Sequence, residues 1–378
     1  LPHGSVDTPV FMPVGTQGTM KGLLPEQLAE LGCRLLLCNT YHLGHRPGHQ
    51  VVRRAGGLHS FINWPFAILT DSGGFQMVSL NELMDVDEEG VTFKSPHTGE
   101  ETLLTPEASI RIQASFPHCI TGLLQENLGA DIAMQLDHVV HVLTEGPVVE
   151  DAMERSIRWL MRCRAAHTRA DQTLFPIVQG GLDTSLRKKC AVAMAQLTES
   201  GIAIGGLSGG EDKNAFWRIV ACCCDNLPGH LPRYVMGVGW PIDLVICSLL
   251  GADMFDCVYP TRTARFGTAI VRHGGMLHLS RKEFEEDFRP IDECCGCHSC
   301  KTYTRAYIHS ILNQETVACH IISVHNLQHH MDLMRRVRTA IQAKQVQHFL
   351  SEFLLEQFPD GTVPQWVCDA LTHMGYKI

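Results

Sequence analysis

The sequence predicts an α/β protein built as a (β/α)8 barrel, and three observations carry that expectation. Eight short apolar runs recur along 378 residues, stretches of helical period separate most of them, and each run ends in a polar residue or glycine. A parallel strand covered on both faces needs such a continuous apolar run, and a chain that is 45% hydrophobic can bury eight of them. A doubly wound open sheet uses the same alternation and is the structural alternative, because periodicity does not report closure.

The first run is Val10-Phe11-Met12-Pro13-Val14, followed by a helical stretch from Pro25 to Leu31. The second, Arg34 to Asn39, leads into His42, His45 and His49. These read as loop and helix-face residues, because the His-x-His on an early strand that zinc hydrolase barrels use is missing. The third, Ala67-Ile68-Leu69-Thr70, ends in Asp71-Ser72-Gly73-Gly74-Phe75-Gln76. Residues 87 to 104 then interrupt the alternation as a β-hairpin turning at His97-Thr98-Gly99-Glu100. The fourth, fifth and sixth runs are Asp131 to Asp137, Phe175 to Gln179 and Ile202 to Leu207, with helices expected at Val149 to His167, Thr184 to Thr198 and Asn214 to Cys224. The seventh is Tyr234 to Gly237 and the eighth Asp253 to Cys257. A Cys- and His-rich stretch follows from about Asp292 to His325, and a basic amphipathic segment from Leu327 to Leu350 serves as the eighth barrel helix. The expected organisation is a main barrel part at 1–289, a metal-binding subdomain at 290–326, and the last helix with a C-terminal segment at 327–378.

Composition narrows the function classes. A net charge of −9 argues against wholesale electrostatic binding of nucleic acid and makes any RNA recognition local. Arg262, Arg265 and Arg272 lie in a stretch free of acidic residues, and Arg335, Arg336, Arg338 and Lys344 form a second basic cluster. Many of the 16 cysteines, such as Cys33, Cys38, Cys190, Cys247 and Cys257, sit inside apolar segments, where a reduced thiol packs as a small hydrophobe. With no secretory segment visible, the chain reads as belonging to a reducing compartment. It begins at Leu1 rather than Met, so its start and any targeting signal lie outside the sequence. No apolar run reaches the roughly 18 to 20 residues that span a bilayer.

Two strand-end aspartates, Asp71 and Asp256, are the chemical centre of this reading. A carboxylate that ends a buried strand is held on a rigid element beside a loop, where catalytic groups are mounted. Two of them suit a nucleophile working with a general acid/base. The other strand ends hold Asp137, Gln179-Gly180-Gly181, Gly205-Gly206-Leu207-Ser208-Gly209-Gly210-Glu211 and Met236-Gly237-Val238-Gly239. Asp and Gln can read the hydrogen-bonding edge of a flat heterocycle, and glycines expose backbone groups. Separately, Cys295-Gly296-Cys297-His298-Ser299-Cys300 with His325 offers three thiolates and an imidazole, a set suited to one closed, structural, tetrahedral zinc. Cys294 could stand in for Cys295, and His320 or His329 for His325.

These residues resemble the tRNA-guanine transglycosylases, in particular the eukaryotic queuine tRNA-ribosyltransferase catalytic subunits. The resemblance covers nearly the whole chain. It rests on Val14-Gly15-Thr16-Gln17-Gly18-Thr19, Asn39-Thr40-Tyr41-His42-Leu43, Thr70 to Gln76, Gly205 to Glu211, Met236 to Gly239, Asp253 to Arg265 and the Cys/His motif, in the family's order. It implies a TIM barrel with a zinc-binding subdomain inserted between the last strand and the last helix. It implies a pentosyltransferase that replaces guanine at the anticodon wobble position of tRNAs with GUN anticodons by queuine. It further implies a cytoplasmic heterodimer with a non-catalytic paralogue, with peripheral association with the mitochondrial outer membrane. The accessory subunit itself is the alternative reading, although its members lose the aspartates that this chain keeps. A zinc-dependent barrel hydrolase is disfavoured by the all-Cys/His metal motif.

The resemblance also assigns roles. Asp256 is expected to be the nucleophile and Asp71 the proton acceptor and donor, in a double displacement like that of retaining glycosidases. Asp71, Ser72, Gly73, Gly74, Phe75, Asp137, Gln179 and Gly206 are the expected base-binding positions, with Phe75 stacking on the heterocycle. Gly237, Val238, Gly239, Trp240, Pro241, Ile242 and Asp243, with Thr261, Arg262, Thr263, Ala264 and Arg265, are the expected RNA-contacting positions. Cys295, Cys297, Cys300 and His325 are the expected zinc ligands. Ser208-Gly209-Gly210 matches the eukaryotic form, in which glycine leaves room for queuine's cyclopentenediol. Three features depart from the family: an insertion at Ser115 to Asn127, His138 where relatives carry an acidic residue, and a Cys300-to-His325 spacing about one residue short.

Overall fold

The computed structural model describes residues 1–74, 84–94, 99–114 and 128–377. Phe75, Gln76, His97, Thr98 and the expected insertion Ser115 to Asn127 lie outside the described residues. The strands are β1 (Val10–Gly15), β2 (Leu35–Cys38), β3 (Ala67–Thr70), β4 (Met84–Val86), β5 (Val91–Lys94), β6 (Glu101–Leu104) and β7 (Ile132–Met134), then β8 (Thr173–Phe175), β9 (Ile177–Val178), β10 (Ile202–Ile204), β11 (Arg233–Val235) and β12 (Met254–Cys257), followed by β13 (Thr268–Val271) and β14 (Gly275–His278).

Nine of these strands pair in one sheet in the order β8-β7-β3-β2-β1-β12-β11-β10-β9, with every pairing parallel. The two end strands are consecutive in the chain, separated only by Pro176, so they are one strand broken at a residue that has no N–H to give. Gln135 spans the break: its backbone N–H donates to the Phe175 carbonyl at 3.0 Å, and its side-chain oxygen accepts the Ile177 N–H at 3.0 Å. Counting that strand once gives eight strands, with the first lying beside the last. This is barrel closure, and the doubly wound alternative is excluded. All eight apolar runs of the sequence are barrel strands.

Because successive side chains in a strand point to opposite faces, the lumen is filled by alternate residues. Val10 and Met12, Leu35 and Leu37, Ala67 and Leu69, Ile132 and Met134, and Tyr234 and Met254 meet inside in one buried cluster. The residues between them face outward, as Leu36 and Ile68 do against Leu28, Leu58 and Trp64. The surrounding helices include Pro147–Ala166, Thr184–Gln196, Lys213–Asn226 and Pro241–Leu249. Two begin on an aspartate cap: Asp183 accepts the N–H groups of Ser185 and Leu186, and Asp212 those of Asn214 and Ala215. Each such cap contributes about 1 kcal/mol. Among the described residues no helix is long and apolar enough to cross a membrane.

Three features differ from the sequence reading. The expected hairpin is present as β5 and β6, but β4 pairs beside them and makes a three-stranded antiparallel sheet. The segment expected as one helix from Leu327 to Leu350 is two, Val317–Gln342 and Val346–Gln357, because Lys344 adopts the left-handed conformation at φ 56°. The first of these starts ten residues early and runs through position 326, so His325 sits within a helix. The hairpin β13–β14, not foreseen, packs with Ala264, Phe284, Ile291, Ile308 and Ile322 into a small core beside the barrel.

Candidate active site and metal centre

The C-terminal ends of the parallel strands gather the acidic and amide groups. Asp256 lies on β12 two residues beyond lumen-facing Met254, so it rises from the barrel interior to the mouth. Its Oδ1 accepts the Tyr234 hydroxyl at 2.6 Å and the Gly237 N–H at 2.8 Å, so both hydrogen bonds fall on one oxygen. Burial holds its pKa above the usual carboxylate range, against the pull of those two donors. Tyr234 is fully buried in the lumen on β11, and its hydroxyl is pushed well up by burial and then by the charges of Asp256 and Asp71. The strands that end in the two aspartates, β3 and β12, open at the same mouth with β2 and β1 between them.

Asp71 follows β3 and is 6% exposed. Its Oδ1 accepts the Thr40 N–H at 2.8 Å, its Oδ2 accepts the Asn39 amide, and the Thr40 hydroxyl donates to its backbone carbonyl. The Asn39-Thr40 pair thus holds this carboxylate. Beside it, Gly74 donates its N–H to Ser72 Oγ at 3.2 Å, and the Ser72 carbonyl accepts the Ser109 hydroxyl at 2.9 Å.

Asp137, beyond β7, accepts the Gln179 amide N–H at 2.6 Å. Burial pushes its pKa up to about 6, only partly offset by that hydrogen bond. Gly206, at φ +67°, lies so close to Gln179 that an added Cβ would run into the amide oxygen. Asp137, Gln179 and Gly206 therefore form one continuous polar surface contributed by three neighbouring strand ends. Adjacent His138 accepts a hydrogen bond at Nδ1 from the Arg155 guanidinium at 2.9 Å, which requires a neutral ring, and burial with the Arg155 charge lowers its pKa to about 4. Gly209 has no left-handed φ, and a Cβ added to it would press on Val142 Cγ1 at 3.1 Å.

Of the stretch expected to contact RNA, Gly237, Trp240, Arg262 and Arg265 are exposed. The Trp240 ring lies against Tyr259, with centroids 4.6 Å apart. Val238, Gly239, Pro241, Thr261 and Ala264 are buried, as is Asp243, which pairs with Lys213; Ile242 and Thr263 are half-buried. These residues support the surface that the exposed ones present. Of the other basic residues noted in the sequence, Arg272 and Arg336 pair with Glu356, Arg335 with Asp332, and Arg338 with the Pro9 carbonyl, while Lys344 is exposed. Within the first basic cluster, Arg262 and Arg265 are exposed and Arg272 is half-buried.

Cys295, Cys297, Cys300 and His325 place their ligand atoms within 4.8 Å of one another, a group that could hold a metal ion. The sulfurs of Cys297 and Cys300 lie 3.7 and 3.3 Å from His325 Nδ1. His325 Nε2 contacts the Ile270 carbonyl at 2.9 Å. An N–H on Nε2 leaves the Nδ1 lone pair directed at the sulfurs, the ring tautomer a metal ligand needs. Hydrogen bonds from Cys295 and Cys300 hold the Cys297 thiol far below its usual range, and every described cysteine is a free thiol. Cys294, His320 and His329 do not join this group.

His3, His59 and Asp131 form a second cluster, at the opposite end of the barrel. The two imidazoles stack 3.5 Å apart at 12°, each bonding a different oxygen of Asp131, and each oxygen also takes a backbone N–H, from His3 or Ile68. Parallel rings direct their nitrogens side by side instead of towards a common point. This carboxylate is saturated with N–H donors and ties the N-terminal segment to the barrel floor. Burial pushes its pKa up, but the donors outweigh it and bring it to about 2.

Sequence reasoning missed Tyr234 and Asn39 as the groups that hold the two aspartates. Their signal was positional: Tyr234 is a polar tip on a lumen-facing strand position, and Asn39 ends β2 next to the strand that carries Asp71.

A closed parallel barrel with a buried and a half-buried carboxylate, Asp71 and Asp256, at its C-terminal mouth has the layout of a barrel enzyme. The family model described as Queuine tRNA-ribosyltransferase matches residues 1–359, and the chain belongs to that family. It is 63% identical to the queuine tRNA-ribosyltransferase catalytic subunit of Caenorhabditis elegans over 392 residues, covering 100% of this chain and 95% of the relative. It is 50% identical to the catalytic subunit of Schizosaccharomyces pombe, over 98% of this chain and 91% of the relative. It is 44% identical to the queuine tRNA-ribosyltransferase of Deinococcus radiodurans, over 98% and 90%.

Proposed function

We propose that this chain is the catalytic subunit of a tRNA-guanine transglycosylase that replaces guanine at the wobble position of GUN anticodons with queuine. The observation that carries this reading is Asp256, half-buried at the barrel mouth with one oxygen pinned by Tyr234 and Gly237. Oδ2, which takes no hydrogen bond from the described residues, attacks C1′ of the ribose as the bond from C1′ to guanine breaks. The departing guanine takes a proton through Asp71. In the second displacement queuine gives a proton to Asp71 and attacks C1′, and the ester bond to Asp256 breaks. Two inversions return the new base to the original face of the sugar. The target nucleotide must swing out of its loop to reach the mouth. Asp71, Ser72, Gly73, Gly74, Phe75, Asp137, Gln179 and Gly206 bind the base, and Arg262 and Arg265 contact the anticodon loop. Cys295, Cys297, Cys300 and His325 bind one zinc, whose closed thiolate-rich set is structural. The active form is a heterodimer with a non-catalytic paralogue in the cytoplasm, and the chain divides near residues 290 and 326. The accessory-subunit reading is not favoured, since both aspartates are present. The test supplies the chain and its partner with tRNA carrying labelled guanine at the wobble position. Label leaves only when queuine or guanine is added, and retention of label under those conditions would refute the reaction.

The pKa of Asp137 sets a pH dependence. As a carboxylate it accepts the amino and ring N–H groups of the base; once protonated it presents a donor where an acceptor is required. With a free-enzyme pKa of about 6, kcat/KM for the base is flat above that pH. It falls about tenfold per unit below it. A pH profile of kcat/KM for guanine, with no acid limb between about pH 5 and 7, would remove Asp137 from base recognition.

For the RNA surface, Arg262→Ala and Arg265→Ala each raise the KM for tRNA by roughly ten- to a hundredfold and leave the KM for free base unchanged. Each lost phosphate contact lowers the salt slope by about 0.7 to 0.9, whereas loss of a base contact changes selectivity among anticodon-loop sequences more than the slope. Unchanged tRNA kinetics in both variants would place the RNA elsewhere.

A further inference from the structure

We propose that Arg187 is a positioning residue for the base, one that fixes Gln179 and Gly206 relative to each other from behind the pocket. The inference rests on the exchange reaction proposed above. Arg187 lies in the first turn of the helix Thr184–Gln196 and is completely buried. No carboxylate pairs with it among the described residues. Its guanidinium instead donates to three backbone carbonyls: Nε to Gly181 at 2.8 Å, and Nη1 to both Val178 at 2.9 Å and Gly205 at 2.8 Å.

The identity of those carbonyls gives the contact its meaning. Val178 immediately precedes Gln179, Gly205 immediately precedes Gly206, and Gly181 closes the turn after Gln179. β9 and β10 run side by side with Val178 opposite Ile204, and the Gly205 N–H donates to the Val178 carbonyl as the last bond between them. Beyond that bond the two chains part into separate loops, and Arg187 Nη1 bridges them at the point of divergence. Gly180, at φ +135°, lets the loop pass close to the first turn of this helix, since a Cβ there would lie 2.9 Å from the Arg187 backbone nitrogen.

Fold stability alone does not explain an arginine here. A buried charge without a counter-ion is costly, and an apolar side chain of similar length would fill the space without that penalty. The residue also puts a cation at the positive end of a helix dipole, and its Nη2 is buried without an oxygen or nitrogen acceptor among the described residues. What a guanidinium provides, and an apolar group or an ammonium does not, is a rigid planar fork that holds several carbonyls at fixed angles. Here those carbonyls set where the Gln179 amide and the Gly206 backbone stand beside Asp137.

The test uses the full chain with its partner subunit, comparing wild type, Arg187→Met and Arg187→Lys. The measurements are guanine affinity by calorimetry, KM for guanine and for tRNA, and the melting temperature. Arg187→Met is expected to weaken guanine binding at least tenfold with the KM for tRNA unchanged. Arg187→Lys, which keeps the charge but not the fork, should recover only part of that loss. Guanine affinity equal to wild type in Arg187→Met would overturn the proposal. So would base and tRNA constants that rise in parallel, which would mark a general structural role. If Arg187→Met does not fold, Arg187→Lys decides, and undiminished guanine affinity there overturns the proposal. A wild-type protein that bound no guanine would refute the exchange reaction itself, an outcome distinct from variants that bind as well as wild type.

Discussion

Asp256→Asn abolishes base exchange, lowering kcat by on the order of 10³-fold or more, while tRNA affinity stays within a few-fold of wild type. The substitution is nearly isosteric. The amide oxygen can still accept the Tyr234 hydroxyl and the Gly237 N–H, so the local fold is kept. What is lost is an anionic oxygen able to form an ester with C1′. Desolvation of this half-buried carboxylate sharpens the effect, because it already raises the energy of the anion and so favours bond formation. Two assays separate the steps. Denaturing gels of wild type with tRNA and no incoming base should trap a covalent adduct, and Asp256→Asn should trap none. Near wild-type turnover by the variant, or an adduct that persists in it, would move the nucleophile to another residue.

Much of this site could be read from the chain because parallel barrels couple sequence position to spatial position. Once a run is identified as a barrel strand, its last residue must lie at the C-terminal mouth. Asp71, Asp137, Gln179, Gly206 and Asp256 could therefore be grouped without any tertiary information. The break at Pro176 did not disturb this, since Gln135 repairs the ladder locally. Groups that act across strands were illegible. Tyr234 reaches Asp256 from the adjacent strand, and Asn39 reaches Asp71 from another; neither partnership has a fixed spacing in the sequence. The same reason hid the engagement of the C-terminal basic cluster. Arg336 meets Glu356 from a second helix, and the turn that creates this pairing depends on the single left-handed residue Lys344. The helix Val317–Gln342 was mistaken at both ends because its two halves bury different faces, one against the small core with His325 and the other against the barrel.

That shared helix makes removal of the metal the second large expected effect. Cys297→Ala, or chelation of the proposed zinc, is expected to destabilise the protein by about 4 kcal/mol or more, the range in which loss of a metal site falls. In a chain of this size that corresponds to a drop in melting temperature on the order of 10 °C. The consequence for function follows from the residue next to the ligand. His325 anchors the Ile270 carbonyl, and Asn326 accepts the Ile270 N–H at 2.7 Å while donating to the Pro260 and Thr268 carbonyls at 2.9 and 3.1 Å. Pro260 belongs to the helix Tyr259–Arg265, which carries Arg262 and Arg265 directly after β12. Freeing His325 from the sulfurs loosens this chain of contacts, so tRNA affinity should fall together with metal content. Guanine binding at the barrel mouth should persist in whatever fraction remains folded. Elemental analysis and melting curves on wild type and Cys297→Ala decide the point. Fully active protein with no bound metal, or a variant with unchanged melting temperature and tRNA affinity, would show that the four residues are packed thiols and a buried imidazole with no metal to hold.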